Sequence, residues 1–109
     1  MANTFKLKSK NNIGVSTVGI YTVPASTTTV IIGVTAANVS GQGINVGIGI
    51  SRGSNGVDIH VLKNVPIPQG SSLEIMQGIK IVVESADTVT AKSDVNSTLD
   101  VALTIMEIT

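Results

Sequence analysis

Asp58 and His60 are separated by one residue, and His60 is the only histidine among 109 residues. On a strand the two side chains share a face, with Cα atoms about 6.5 Å apart. A carboxylate and an imidazole so placed could form an acid–base pair or supply two ligands to a metal. Val57, Ile59 and Val61 alternate with them, however, so the pair reads first as the solvent-facing stripe of a half-buried strand. With one histidine and no cysteine, a zinc site would have to lean on carboxylates, and no metal or cofactor is indicated. The acidic residues are scattered. Glu74 and Glu84 interrupt apolar runs as outward strand residues do, and nothing in the spacing marks a catalytic pair.

The glycines raise a second chemistry, the cradling of phosphates. Counting the dinucleotide fingerprint from Gly41-Gln42-Gly43 puts Val46 where the third glycine belongs. Counting from Gly47-Ile48-Gly49 puts Arg52 there, and no Gly-Lys-Ser/Thr follows any glycine. Strand and turn glycines are the better account. In "INVGIGIS", Ile44, Val46, Ile48 and Ile50 alternate with Asn45, Gly47, Gly49 and Ser51. Glycine weakens a strand, so a glycine-lined face implies something packed closely against it. We take Asn45, Gly47, Gly49, Ser51 and the adjoining Arg52, the only arginine, as the candidate partner interface.

The elements that position these residues are strands. Phe5 and Tyr21 are the only aromatic residues, so the core must be built from Ile, Val and Leu, which suit a pleated surface. Apolar alternation marks "TFKLKS" and "VDIHVLKNV", "TTVIIGVTAANV" is a strong apolar run, and "GVSTVGIYTV" and "ADTVTAKS" read as further strands. "LEIMQG" and "IKIVVES" read as two short strands parted by Gly78, and Asn55-Gly56 as a tight hairpin turn. "STLDVALTIMEI" puts Leu99, Val101, Leu103 and Ile105 on one face. No stretch has a helical period. The expected fold is all-β, an antiparallel sandwich of seven to nine short strands, jelly-roll-like or immunoglobulin-like. The chain reads as one domain, 1–109, with residues 1–12 as an extended N-terminal arm.

Charge narrows the partners. Seven basic and seven acidic residues cancel, leaving no basic field for nucleic acid. Charged residues make up 13% of the chain, about half the usual share, which favours association with copies of itself or with a partner. No apolar run approaches the ~20 residues of a membrane helix. No secretory signal stands in "MANTFKLKSKNN", so Asn38-Val39-Ser40 and Asn96-Ser97-Thr98 carry no glycosylation implication, and synthesis in the cytoplasm is expected.

"ANTFK", "YTVPASTTTVIIGV", "ANVSG", "PIPQGSSLEI", "KIVVESADTV" and "STLDVALTIMEIT", in that order and spacing, resemble small virion structural proteins of tailed bacteriophages, notably marine phages and cyanophages. The resemblance spans most of the chain. It implies a non-enzymatic β-rich subunit present in many copies on the particle, with the major capsid protein or other virion subunits as partners. Gly47 and Gly49 depart from it, standing where the pattern carries polar Thr or Asp. The expected role is capsid decoration or cement, with a homo-oligomer, a trimer favoured, at local threefold positions. The alternatives are a neck, tail or fibre-base component and, more distantly, a carbohydrate-binding host-attachment module.

Overall fold

The computed structural model describes residues 2–53, 56–75 and 80–109. Among them are nine strands: β1 (Asn3–Ile13), β2 (Val18–Thr22), β3 (Thr28–Asn38), β4 (Ile44–Ser51), β5 (Ile59–Ile67), β6 (Ser72–Glu74), β7 (Ile81–Val83), β8 (Thr88–Ser93) and β9 (Leu99–Ile108). One sheet runs β1-β9-β3-β6, with β7 also paired to β3, and the second runs β2-β8-β4-β5. Every pairing is antiparallel.

As pairs, β1 lies with β9, β2 with β8, β3 with β6 and β7, and β4 with β5. The chain is thus an antiparallel ribbon that doubles back at the β4–β5 connection, its successive pairs alternating between sheets. That is the jelly-roll form of the sandwich. The immunoglobulin-like alternative falls because β1 and β2 stand in different sheets.

Alternation decides which side faces in. Leu99, Val101, Leu103 and Ile105 of β9 are fully buried against Ile44, Val46, Ile48 and Ile50 of β4 and their neighbours. The filling is aliphatic apart from Tyr21. Branched residues suit it because each brings area at little rotamer cost in a strand. Residues 3–13, which take in most of the expected arm 1–12, pair along β9 as an edge strand. β5 continues through Pro66 to Ile67, past the break that proline suggests. It can do so because β5 is the sheet's edge, where a missing N–H leaves no ladder bond unmade.

Two register shifts against β4 bulge β5, one beside Asn64, whose φ of 52° is left-handed. β6 and β7 split one edge of β3. Where they part, Glu74 accepts bonds from the Val34 N–H at 3.2 Å and the Thr35 hydroxyl at 2.8 Å, so a carboxylate takes over part of the missing strand's role. β4 and β5 are the expected antiparallel neighbours. Of the turn between them Asn55 lies outside the described residues, as does Gly78, and Gly56 has φ 154°.

Candidate functional site

The outer face of the second sheet is polar and nearly bare. Register places His60, Gly49, Thr90 and Gly19 in one row across β5, β4, β8 and β2, and sets Lys92 opposite Gly47. With Asp58, Lys63 and Asn64 on the β5 side, His60, Gly49, Thr90, Gly47 and Lys92 line a groove of about 530 Å³. The structure therefore gathers Asp58, His60, Gly47, Gly49 and Ser51 along one groove. Asp58 and His60 are both exposed, and Asp58 Oδ1 accepts the Arg52 N–H at 3.1 Å. Among the described residues no group of three His, Asp or Glu could hold a metal.

The two glycines differ in cause. A Cβ on Gly49 would stand 2.9 Å from the Ile59 carbonyl oxygen and 3.2 Å from Thr90 Oγ1. The backbone of β5 itself occupies the space, brought in by its bulges. What presses on Gly49 is this chain. A Cβ on Gly47 would meet Leu62 O at 3.6 Å and Lys92 Cγ at 3.8 Å, ordinary contacts, so Gly47 is bare without need.

Asn45 keeps an exposed side chain and is tied within the chain by its backbone, whereas Arg52 is engaged by its side chain. The Asn45 N–H donates to Asp94 Oδ1 at 2.9 Å at the sandwich's far end. The Arg52 guanidinium donates to Asp87 Oδ1 at 3.1 Å and to Glu84 Oε1 at 2.8 Å. Asp87 is 1% exposed and also accepts the Glu84 N–H at 2.9 Å, closing the turn between β7 and β8. Arg52 thus neutralises a buried carboxylate and pins the β4 end to that turn, and its own pKa is raised further, chiefly by the hydrogen bond to Asp87.

At the same end, Tyr21 reaches across the sandwich. Its hydroxyl donates to Glu107 Oε2 at 2.5 Å and lies 2.8 Å from the Thr29 hydroxyl, which must donate because the phenol proton is committed. Glu107 is buried and paired to Lys6 Nζ at 2.7 Å, and Lys8 Nζ sits 5.8 Å from the Tyr21 ring centre. Burial first, then the bond to Glu107, pushes the phenol up to about 12. The hydrogen bond from Lys6, then that from Tyr21, holds the Glu107 carboxyl below its ordinary value of 4.5. These groups bridge the two sheets. Asn38 is buried with both ends used, its amide donating to Gln42 O and Ile67 O and its oxygen accepting from Ser40. It has no amide proton free for a glycan.

Sequence reasoning missed the other outer face. Register aligns Phe5, Met106, Val30 and Val82 in one row across β1, β9, β3 and β7. Leu7 is two residues along β1 from Phe5 and Ile108 two along β9 from Met106, so both lie on the same face. Phe5 is 69% exposed, Leu7 68% and Val82 60%. The available signal was that "TVIIGV" and "VALTIMEI" are apolar at inward and outward positions alike, the mark of a strand covered on both faces.

No protein-family model matches the chain, and no curated protein matches it. Solved structures do. A chain from Bacillus endospore appendages, described as a novel family of disulfide-linked pili, is 15% identical with a TM-score of 0.59, over 99% of this chain and 87% of that one. A chain from the acid-stable capsid of Helicobacter pylori bacteriophage KHP30 is 9% identical with a TM-score of 0.59, over 100% of this chain and 94% of that one. A chain of the T13 IBDV viral particle is 10% identical with a TM-score of 0.58. It covers 96% of this chain, which spans only 30% of that one. At these identities the likeness is one of fold.

Proposed function

We propose that this chain is a non-enzymatic structural subunit of a phage particle, bound in many copies as a capsid decoration or cement protein. The observation that carries the reading is the jelly-roll ribbon, together with a likeness of fold to the KHP30 capsid chain that runs nearly end to end in both chains. The mechanism is mechanical. Surface buried against neighbouring subunits favours the assembled shell by mass action. Repetition over many sites makes modest contacts collectively strong.

The pilus likeness favours a second reading, a subunit of a filament or tail. This chain has no cysteine, so disulfide linkage between these residues is not open to it. A carbohydrate-binding role draws little support. Sugar sites usually stack on aromatic rings, and here Tyr21 is buried while Phe5 lies on the opposite sheet from the groove. Co-sedimentation of the purified protein with empty shells, and separately with tails, of its own phage tests the proposal. Saturable binding to shells is expected, and binding to tails alone, or to neither, would overturn it. Gly47→Thr, whose Cβ has room, asks in the same assay whether the groove face touches the particle.

A further inference from the structure

We propose that the Gly47 end of the groove on the second sheet is a carboxylate-binding subsite, where Lys63 and Lys92 close from either side on an acidic side chain of a partner polypeptide. The inference holds for a partner on a shell, a tail or a filament alike, so it stands apart from the decoration reading.

Register builds the site. Gly47 pairs with Lys92 of β8 on one side. On the other, β5 bulges between Leu62 and Val65, so Lys63 and Asn64 together stand opposite Gly47. All four residues line the groove. The backbones of β5 and β8 are two strand spacings apart there, about 10 Å, a gap that two flexible lysine stems can close. A Cβ on Gly47 would make only ordinary contacts, Lys92 Cγ at 3.8 Å among them, so alanine would fit and would stabilise the strand. The chain's own packing thus gives no reason for the glycine, which leaves the floor between the two lysines open.

Charge selects the occupant. Lys63 and Lys92 are exposed, and neither forms an ion pair with a described residue. The acids nearest them are turned elsewhere. Asp94, two residues beyond Lys92, accepts the Asn45 N–H at 2.9 Å. Asp58, the one acid among the described residues that line the groove, accepts the Arg52 N–H, about 17 Å along β4 from Gly47. The other five are held by Lys6, by Arg52, by Val34 and Thr35, and by the Asn12 N–H. The Gly47 end is therefore a cationic spot with no carboxylate of its own and the Asn64 amide beside it. A partner's carboxylate supplies what is missing, through charge-assisted hydrogen bonds.

The far end of the groove decides between a peptide and a polyanion. A nucleic-acid backbone laid along it would carry negative charge past Asp58, which repels it. A peptide carries its charges one at a time, and an extended segment of about six residues spans the ~17 Å between the two ends. A segment acidic at Lys63 and Lys92 and basic at Asp58 complements both.

Amide NMR shifts of the full chain test this with the capped peptide Glu-Gly-Gly-Gly-Gly-Lys as probe, titrated to about 20 mM at low salt. Saturable shifts at Gly47, Asn64 and Lys92 are expected, and the same peptide with Gln for Glu should lose them. Lys63→Gln and Lys92→Gln should each raise the dissociation constant about two- to fivefold, the worth of one exposed ion pair. Both positions are exposed, so the fold should be unchanged. No saturable shift at Gly47, or equal binding by the double lysine variant, overturns the proposal. Inorganic phosphate that saturates the same amides at a lower concentration than the peptide would assign the spot to a free anion and overturn it too. A second measurement does not depend on the probe's affinity. Gly47→Glu places a carboxylate between the lysines, so it should melt a few degrees above Gly47→Gln at low salt, with the gap closing at about 1 M salt. A glutamine variant at least as stable as the glutamate one overturns the proposal. These measurements use no shells or tails, so their failure leaves the particle reading standing, and a failure of shell binding leaves the subsite standing.

Discussion

Replacing Gly47 and Gly49 by alanine, one at a time, separates two reasons for a bare strand face. Neither glycine has a positive φ, so alanine is free of backbone strain at both, and only space distinguishes them. At Gly49 the new methyl would lie 2.9 Å from the Ile59 carbonyl, a backbone atom fixed by the β4–β5 ladder. Overpacking of that kind costs about 1–3 kcal/mol. Restricting the unfolded chain returns about 0.4–1 kcal/mol, for a net loss of about 1–2 kcal/mol. At Gly47 the methyl meets neighbours at ordinary distance, so only the gain of about 0.4–1 kcal/mol remains. The two variants should differ by about 2 kcal/mol, or roughly 8 °C in Tm for a domain near this size. Urea and thermal unfolding followed by circular dichroism read this directly. A Gly49→Ala protein as stable as wild type, or equal losses at both positions, would refute the claim that β5 is what presses on this face.

Three more predictions rest on the polar end of the sandwich. Tyr21 is the only tyrosine and there is no tryptophan, so near-ultraviolet phenolate absorbance reports a single group; it should titrate near 12 in the folded protein and near 10 in denaturant. Because the folded phenol holds its proton more tightly, its contribution to stability is complete below pH 10 and is lost as pH rises through 12; Tyr21→Phe should lack this alkaline loss. Glu107 has the opposite sign. Its depressed folded value means the contribution is complete above 4.5 and is lost as pH falls through that folded value, so Glu107→Gln should flatten the acid limb of a Tm-against-pH profile while lowering Tm at neutral pH. Arg52→Ala should lower Tm by removing the cation paired with the buried Asp87 carboxylate, and Arg52→Lys should not restore it, because one ammonium cannot reproduce the forked contact with Asp87 and Glu84; recovery in the lysine variant would contradict that geometry.

Where residues chose their side by alternation alone, the sequence was legible. β4 and β9 are as their isoleucines, valines and leucines imply, and the all-β sandwich follows from them. The cause of Gly49 was not legible, because the Ile59 carbonyl is brought in by bulges that leave no mark beyond an ordinary Asn64. Arg52 read as a partner contact because its ion-pair partner Asp87 is 35 residues away and adjacent only after β8 pairs with β4. The apolar outer row was half visible: β3 and β9 are apolar on both sides, but only register brings Phe5 and Val82 into line with them.

The ribbon also sets an order in time. Pairing Ile50 with Ile59 closes a loop of about ten residues, whereas pairing Thr4 with Glu107 in an otherwise open chain closes about a hundred. The difference in closure entropy is about 2 kcal/mol, so the ribbon should zip from its middle outward, each pair shortening the loop left to the next. β1 and β9 are then joined last. Phe5 comes into line with Met106 only at that step, so the apolar outer row is complete only on a finished subunit. Half-formed chains would lack that row, and its completion would mark the end of folding.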